Sequence, residues 1–363
     1  MSDAVSIDVR VRADAPIPLD VALAAGPRDV AAVFGPSGAG KTTLLRTIAG
    51  LHRQATGRIV CRGVTWLDTD RGVCLPPHER RLGFVAQDYG LFPHLDALHH
   101  VAIALGHLPR DQRRAEAARL LALVHLESSA SRRPASLSGG EQQRLAIARA
   151  IARNPHVLLL DEPFAAVDRA TRRALQDELD ALRHRLDMPI VLVTHDFEDV
   201  IRLASHVTLL ERGRVVAAGA VGEITSRVDL PWLAAAAGRG SVFTASVDRV
   251  DERRKLADLR FDGGTLIVPA GSLTSGRYVR VRVPAREIIL ATSRPEGLSL
   301  HNILEGRVSG LESDERSGVV IVQIAVGETH LLAEVTGDAV DRLAIAIGRP
   351  ILALIKSVAI EVG

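Results

Sequence analysis

A glycine-rich stretch near the N-terminus constrains this chain more than any other feature. Gly35-Pro36-Ser37-Gly38-Ala39-Gly40-Lys41-Thr42 has the spacing GxxxxGKT. It follows the apolar run Val30 to Phe34, which predicts a buried strand, and precedes Thr42 to Gly50, which predicts a helix. Glycines at such a junction let backbone N–H groups turn inward around phosphates, and the helix N-terminus adds its positive dipole. The stretch therefore predicts a phosphate-binding loop.

Two side chains of this loop carry the expected chemistry. Lys41 would reach the β- and γ-phosphates of a nucleoside triphosphate, and the Thr42 hydroxyl would bind Mg²⁺. Thr43 completes the set of residues that we expect to contact the nucleotide. Lysine occurs only at positions 41, 255 and 356. Background lysine content therefore does not account for a lysine inside the motif.

A second element supplies two adjacent carboxylates. The apolar run Val157 to Leu160 leads directly into Asp161 and Glu162. Asp161 would support Mg²⁺, and Glu162 would orient or deprotonate an attacking water. Alone, this pattern also fits a strand that ends in solvated acids. Together with the phosphate-binding loop it indicates the second half of a nucleotide site.

The arrangement of strand-like and helix-like segments predicts two domains. Up to about residue 237 they alternate, which predicts a mainly parallel α/β sheet covered by helices. Helices are expected at 111–126, 141–153 and 169–186, and further strands at 81–86 and 190–194. From residue 238 to 363 the segments are short and β-like, which predicts a small all-β, OB-like barrel. The Ala- and Gly-rich stretch Leu233 to Gly240 is the predicted junction.

Composition excludes several classes of protein. Lys plus Arg is 45 and Asp plus Glu is 43, a net charge of +2, and we find no basic stripe of the kind that binds nucleic acid. Two cysteines, Cys61 and Cys74, cannot build a disulfide framework, so we expect a reduced cytosolic chain. The most apolar stretch, Leu343 to Ile355, is interrupted by Gly348, Arg349 and Pro350, so no membrane span is expected.

A third motif resembles a known family. Leu137-Ser138-Gly139-Gly140-Glu141-Gln142-Gln143-Arg144 is similar to the signature sequence of ATP-binding-cassette (ABC) ATPases. Ser138, Gly139 and Gly140 would open a helix N-terminus, which is a second anion site. The resemblance implies that Gln142 belongs to this nucleotide contact. It also implies a homodimer in which the loop of one copy faces the signature of the other, with ATP between them.

Three further positions match elements of the same family in order. Gln87, in Phe84-Val85-Ala86-Gln87-Asp88, resembles the Q-loop, whose glutamine contacts Mg²⁺ and the attacking water. Asp168 resembles the aspartate of the D-loop at the dimer interface, and His195 resembles the switch histidine that bonds the γ-phosphate. The resemblance covers about residues 5 to 235 and implies an α/β P-loop NTPase domain with a helical subdomain. Between Val5 and Val33 the chain has no aromatic residue to stack on adenine, so the manner of holding the base stays open.

The spacing of the motifs selects a branch of this family. Only 97 residues separate Lys41 from Ser138, which leaves no room for an inserted coiled coil. A single cassette followed by a β-domain resembles the ATPase subunit of a bacterial importer, peripheral on the cytoplasmic face of the membrane. Leu91-Phe92-Pro93-His94 is similar to the importer segment that receives a permease helix. The implied partners are a permease dimer and, indirectly, an extracytoplasmic oxyanion-binding protein.

The C-terminal region suggests the solute. Segments 298–304 and 354–360 resemble the two ends of the molybdate-binding β-module of the TOBE type, which would cover residues 298 to 363. Ser299, His301, Lys356 and Ser357 could supply donors to a tetrahedral oxyanion. His301 stands where the family usually has arginine. Segments 71–77 and 231–233 also resemble those of molybdate importer ATPases, which implies uptake of molybdate or tungstate.

Three other interpretations stay open at this point. The chain could energise a sulfate or iron importer, because the energy-coupling subunit does not itself select the solute. It could be a non-enzymatic oxyanion sensor or store that uses only the β-module. It could also be a soluble ABC ATPase that acts on nucleic acid, in which case binding to DNA or RNA would be sensitive to salt.

Overall fold

The computed structural model divides the chain into two compact units, Met1–Gly219 and Ala220–Gly363. It describes residues 5–15, 17–52, 54–165, 167–230, 233, 238–314 and 318–363. The domain boundary predicted at 237/238 stays a prediction. Its junction, Leu233 to Gly240, and the segment 231–233 lie mostly outside the described residues.

The first unit is built on one mixed sheet, whose described strands run in the order β6-β5-β4-β1-β2-β11-β10-β3-β9-β8-β7. In chain order these strands are β1 (Ile7–Ala13), β2 (Leu19–Ala25), β3 (Val30–Phe34), β4 (Thr56–Cys61), β5 (Val64–Asp68), β6 (Val73–Cys74), β7 (Leu82–Val85), β8 (Val157–Asp161), β9 (Ile190–Thr194), β10 (His206–Glu211) and β11 (Arg214–Ala220).

The sheet has a parallel and an antiparallel part. β7, β8, β9, β3 and β10 pair in parallel, as predicted, and every residue of β3, β8 and β9 is buried. Such continuously apolar strands are buried on both faces. β1, β2, β4, β5 and β6 pair antiparallel, and the burial of β1 and β2 alternates along each strand. The prediction of a mainly parallel sheet therefore describes only one side of it, from β10 to the edge strand β7.

Helices of the first unit follow the strands of the parallel part. They are α1 (Lys41–Ile48), α2 (Ala97–Ala104), α3 (Arg110–Leu123), α4 (Gly139–Ile151), α5 (Arg169–Leu186) and α6 (Phe197–Leu203). α5 is amphipathic and buries Leu175, Leu179 and Leu182, which recur at helical spacing. α2, α3 and α4 contact one another and form the helical subdomain that the family resemblance implies.

The second unit contains two five-stranded antiparallel sheets that share one apolar core. The sheet orders are β14-β13-β12-β15-β21 and β16-β20-β17-β18-β19. The elements are α7 (Val221–Thr225), β12 (Gly240–Asp251), β13 (Leu256–Phe261), β14 (Gly264–Pro269), β15 (Tyr278–Pro284), β16 (Ile288–Ala291), β17 (Asn302–Asp314), β18 (Val319–Val326), β19 (Thr329–Thr336), α8 (Gly337–Leu343), β20 (Pro350–Ile355) and β21 (Glu361–Val362). Two curled antiparallel sheets around one core confirm the predicted all-β, OB-like C-terminal architecture.

Two expectations from composition bear on the structure. Within the described residues, none of the helices combines the length and the apolar character required to span a bilayer. Cys61 and Cys74 are both free thiols, and Cys61 is buried in the first unit.

Candidate nucleotide-binding site

The parallel strands bring the predicted nucleotide residues to one edge of the sheet. In register, Phe34 lies opposite Thr194 and Asp161 lies opposite Val193. Val85, two residues before Gln87, lies opposite Leu160. The loops that leave β3, β7, β8 and β9 therefore emerge side by side. Open α/β sheets bind their ligands at this carboxyl edge.

The glycine-rich loop has the backbone that its sequence predicts. Gly38 and Gly40 have φ of +80° and +99°, conformations that favour glycine. A Cβ on Gly35 would lie 2.1 Å from the carbonyl oxygen of Leu210, so this position also requires glycine. Pro36, Ser37 and Gly38 are exposed at the tip of the loop, whereas Ala39 and Gly40 are buried at its base.

Lys41 lies inside this loop. Its side chain is 7% exposed, and Nζ donates hydrogen bonds to the carbonyl oxygens of Gly35 at 2.8 Å and Pro36 at 3.0 Å. Nζ is also 3.9 Å from Oε1 of Glu162. Burial lowers the pKa of Lys41, and the charges of Glu162 and Asp161 oppose that shift. The ammonium group is thus already held where a phosphate would meet it.

Two oxygen groups suited to Mg²⁺ lie next to one another. Thr42 Oγ1 donates to Asp161 Oδ1 at 3.0 Å, and Thr43 is half-buried beside them on α1. Burial raises the pKa of Asp161, and the nearby charge of Glu162 adds to that effect. A hydroxyl beside a buried carboxylate is a donor set that Mg²⁺ accepts, and a cation would relieve the crowding of the two acids. The residues therefore fit this ion.

Glu162 and His195, two of the predicted catalytic residues, contact each other. Glu162 Oε2 is 2.7 Å from His195 Nδ1 and accepts the His195 backbone amide at 3.3 Å. The Glu162 side chain is 11% exposed, whereas that of His195 is 54% exposed. Glu162 has φ of +49°, a backbone conformation uncommon for residues other than glycine. The Glu162 carboxylate is thus mostly buried, and the His195 imidazole that contacts it is exposed to solvent.

Sequence reasoning missed the residues behind His195. Thr194 Oγ1 donates to Asp199 Oδ2 at 2.7 Å, and Gln176 Nε2 donates to Asp199 Oδ1 at 2.7 Å. Arg172 Nη1 donates to Asp196 Oδ2, and Arg172 Nε lies 3.5 Å from Asp199 Oδ1. Their sequence signal is an acid three residues after Asp196, together with polar positions one helical turn apart on α5. That signal is too common to single them out.

Gln87 is exposed at the end of β7, and the segment after it is tied to the active-site strand. The Tyr89 hydroxyl donates to the carbonyl oxygen of Pro163 at 3.3 Å, directly after Glu162. Arg149, in the last turn of α4, donates to the carbonyl oxygens of Tyr89 at 2.8 Å and Gly90 at 2.6 Å. Sequence reasoning identified Gln87 but neither Tyr89 nor Arg149.

The segment Leu91 to His94 exposes one aromatic side chain. Phe92 is 44% exposed and stacks on buried His100, with ring centroids 5.8 Å apart. The Phe92 amide donates to His100 Nε2 at 2.7 Å, and Nδ1 lies 2.9 Å from the Asp96 carbonyl oxygen. The acceptor role of Nε2 leaves the proton on Nδ1, and burial lowers the pKa of His100. The exposed ring is therefore held in place by its stacking on His100 and by the bond of its own amide to that ring.

The signature residues form the N-terminus of α4. Ser138 is the N-cap, and its hydroxyl and the Glu141 carboxylate form a reciprocal capping box. Ser138 is exposed, Gly139 half-buried and Gly140 buried, and a Cβ on Gly140 would lie 2.9 Å from Thr171 Cγ2. Gln142 Nε2 donates to the carbonyl oxygens of Pro134 at 3.0 Å and Leu137 at 3.2 Å. These bonds stay within the segment, so the helix start is held open towards solvent.

Glu141 stabilises this helix start through its charge. Its carboxylate accepts the Ser138 amide at 2.8 Å and the Ser129 hydroxyl at 2.7 Å. These bonds, the Ser138 amide first, lower the pKa of Glu141 from 4.5 to about 2. Because the folded-state pKa lies below the unfolded one, the stabilisation is complete above about pH 5 and is lost as the pH falls towards 2.

We expect Glu141→Gln to lower the free energy of unfolding of the first unit by about 2 kcal/mol at pH 7. The difference from the wild type should shrink as the pH is lowered from 5 towards 3. Urea unfolding followed by helical circular dichroism measures both, because the long helices lie in the first unit. Glu127→Gln, exposed on the neighbouring turn, is the matched control. A difference that does not change with pH would contradict the role of the charge.

Asp168 lies at the start of α5. Its carboxylate accepts the Thr171 amide at 3.1 Å and the Thr171 hydroxyl at 2.6 Å. Asp168 is exposed, and Ala166 beside it lies outside the described residues.

The candidate oxyanion residues lie in the second unit. Ser299, His301 and Lys356 are exposed and Ser357 is buried. His301 Nδ1 lies 3.2 Å from Ser357 Oγ. The neighbouring Asn302 is buried and connects β17 to β14. Its Oδ1 accepts the Ile267 amide at 2.7 Å, and its Nδ2 donates to the Ile267 carbonyl oxygen at 3.0 Å. An oxyanion role for the four residues stays a prediction.

Comparisons with known proteins agree with this architecture. The family model "ABC transporter" matches residues 19–165, and the model "TOBE domain" matches residues 298–362. A solved structure described as the dimeric structure of MJ0796, a bacterial ABC transporter cassette, is 30% identical, with a TM-score of 0.51 over 59% of this chain and 98% of the other. A second structure of that cassette, a dimer bound to ADP and phosphate, is 29% identical, with a TM-score of 0.50 over the same shares.

The fold and the site define an ABC ATPase, which binds ATP. The "Molybdenum import ATP-binding protein ModC" of Methylococcus capsulatus is 42% identical over 94% of this chain and 95% of its own length. Those of Rhizobium etli and Azotobacter vinelandii are 40% and 39% identical over 92% and 98% of this chain, and 93% and 98% of their own lengths. The chain belongs to this family, the molybdenum import ATP-binding proteins.

Proposed function

We propose that this chain is the ATP-hydrolysing subunit of an importer that takes up molybdate, and tungstate as its close chemical analogue. It acts as a homodimer on the cytoplasmic face of the membrane, bound to a separate permease dimer that receives the oxyanion from an extracytoplasmic binding protein. The observation that carries the proposal is the convergence of Lys41, Asp161, Glu162 and His195 in one site. Membership of the molybdenum import family supports molybdate as the transported solute.

Nucleotide binding uses groups that are already in position. The amides of the glycine-rich loop and Nζ of Lys41 bind the β- and γ-phosphates. Lys41 exchanges the carbonyl oxygens of Gly35 and Pro36, its present partners, for phosphate oxygens. Thr42, Asp161 and Gln87 would hold Mg²⁺, whose charge neutralises the phosphate oxygens.

Hydrolysis needs a group that takes a proton from water. A water attacks the γ-phosphorus, the bond from that phosphorus to the bridging oxygen breaks, and ADP leaves. Glu162 accepts the proton of the attacking water. His195, 2.7 Å from that carboxylate, donates its Nδ1 proton to it and orients it. Lys41 stabilises the charge that develops on the transferred group.

The second copy completes the site. The exposed helix start at Ser138, Gly139 and Gly140, with Gln142 beside it, covers the γ-phosphate bound by the partner copy. Asp168 meets the partner at the same interface. ATP therefore closes the homodimer and its hydrolysis reopens it, and the exposed Phe92 transmits this motion to the permease.

The test is ATP hydrolysis by the complete transporter reconstituted in liposomes. We expect molybdate and tungstate, presented by the binding protein, to stimulate hydrolysis several-fold and to accumulate inside. Sulfate stimulation without molybdate stimulation would instead assign a sulfate importer, and ferric iron is tested in the same way. Absence of any ATP hydrolysis, with molybdate still bound by the chain, would favour an oxyanion sensor or store.

A further inference from the structure

The turn that carries His195 is closed by the hydroxyl of the residue before it. The amide of Asp196 donates to Thr194 Oγ1 at 3.0 Å, and Thr194 Oγ1 donates to Asp199 Oδ2 at 2.7 Å. A hydroxyl has one proton to donate. The Asp196 carbonyl oxygen is a competing acceptor at 3.4 Å, but the nearer, charged carboxylate is the stronger one. Asp199 therefore aims the hydroxyl so that its lone pairs face the Asp196 amide.

Asp199 is itself fixed by helix α5. It is 1% exposed, accepts Gln176 Nε2 at 2.7 Å and lies 3.5 Å from Arg172 Nε. Arg172 also bonds the carboxylate of Asp196. Burial raises the pKa of Asp199 to about 6, against the bond from Thr194 and the charge of Arg172. A buried acid that keeps three polar partners is a rigid anchor rather than a solvated surface group.

His195 lies between the two residues that this anchor holds. Its neighbours Thr194 and Asp196 are joined to each other and to Asp199, whereas the imidazole is 54% exposed. The exposed ring has one described hydrogen-bonding partner, the Glu162 carboxylate at 2.7 Å. The direction of the imidazole therefore depends on the backbone turn, and the turn depends on the Thr194 hydroxyl.

We propose that Thr194 and Asp199 are positioning residues, which hold the turn so that the imidazole of His195 meets the carboxylate of Glu162. Neither residue contacts the nucleotide, and both act through His195. The inference rests on the proposed ATPase function and adds two residues to its machinery. An ionised carboxylate only accepts hydrogen bonds, so the Nδ1–H tautomer of His195 is the one that this arrangement selects.

The test compares Thr194→Val with Thr194→Ser. Valine keeps the shape of threonine and removes the hydroxyl, whereas serine keeps the hydroxyl. We expect Thr194→Val to lower kcat for ATP about tenfold, because a small displacement of a catalytic group is costly, and to leave the Kd for ATP within about twofold. Thr194→Ser should recover at least half of the wild-type kcat. Equal kcat for valine and wild type would overturn the proposal.

A spectroscopic measurement separates positioning from general damage. In ¹⁵N–¹H spectra of the histidine side chains, with His195 assigned by its loss in His195→Ala, the wild type and Thr194→Ser should show the Nδ1–H tautomer. Thr194→Val should show a tautomer mixture at His195, with the signals of buried His100 unchanged. An unaltered His195 signal in Thr194→Val would overturn the proposal even if kcat fell.

Asp199→Leu provides an independent variant of similar volume. If it binds ATP, it should reproduce the fall in kcat of Thr194→Val, and wild-type turnover would contradict the proposal. If Asp199→Leu fails to fold, the comparison of Thr194→Val with Thr194→Ser still tests the proposal. Failure of the ATPase activity on which the inference rests is recognised separately, because the wild-type protein would then not hydrolyse ATP at all.

Discussion

Replacing Glu162 with glutamine is expected to slow steady-state ATP hydrolysis about a thousandfold while ATP remains bound. The carboxylate lies 2.7 Å from His195 Nδ1 and 3.9 Å from Lys41 Nζ, so it is poised beside the phosphate-binding loop. Glutamine has the same shape and can adopt the same positive φ, but it cannot take a proton from water. The variant should therefore accumulate as an ATP-bound dimer, measured by phosphate release and by size-exclusion chromatography with MgATP.

The control for this prediction is Glu252→Gln, the same change at an exposed turn of the second unit. It should hydrolyse ATP at the wild-type rate. Turnover of Glu162→Gln within tenfold of the wild type would contradict the role of Glu162 as the base. A Glu162→Gln protein that stays monomeric with MgATP, even beside its permease, would contradict the shared site between two copies.

Replacing Lys41 with alanine is expected to weaken ATP binding about a hundredfold. Its ammonium group is buried and donates to the carbonyl oxygens of Gly35 and Pro36, 2.8 and 3.0 Å away, so it reaches the phosphates without reorganisation. A charge-assisted hydrogen bond to phosphate contributes about 3 kcal/mol, and each 1.4 kcal/mol corresponds to a factor of ten. Isothermal titration calorimetry with a non-hydrolysable ATP analogue measures the change in Kd.

Lys255→Asn is the matched control for this variant. Lys255 lies in a turn of the second unit with φ of +55°, which asparagine tolerates, and its loss changes the net charge equally. Its Kd should equal that of the wild type. A Lys41→Ala protein that binds ATP as tightly as the control would show that the lysine does not reach the phosphates.

The sequence predicts the parallel part of the first unit better than its antiparallel part. The strand Val30 to Phe34, the loop after it and helix α5 at Arg169–Leu186 are found where their patterns indicate, because a fully apolar run and a helical period are strong local signals. The antiparallel strands β1 and β2 lie outside these predictions, although their burial also alternates. They pair with each other across a short loop, but their other partners, β4 and β11, lie elsewhere in the chain, and such pairing is not a local property.

In the candidate site, too, local motifs are predictable from the sequence and contacts between distant residues are not. Residues that belong to contiguous motifs, such as Lys41 and Glu162, are recognisable from their neighbours in the chain. The contact between Glu162 and His195 joins residues 33 positions apart and depends on the register between β8 and β9. Thr194 and Asp199 need the position of α5 as well, since Gln176 and Arg172 hold the acid. No local pattern contains that information.

Helix α4 has groups of interest at both ends. It begins at the N-cap Ser138. In its last turn, Arg149 donates a hydrogen bond to the carbonyl oxygen of Gly90 and lies beside the exposed ring of Phe92. Thirteen helical residues span about 20 Å, and a single helix of this length is stiff. A displacement of the C-terminal end of α4, next to Phe92, should therefore also move its N-terminal end at Ser138. Under the proposed function, helix α4 would thus link a movement of the permease to the contact between Ser138 and the triphosphate of the neighbouring copy.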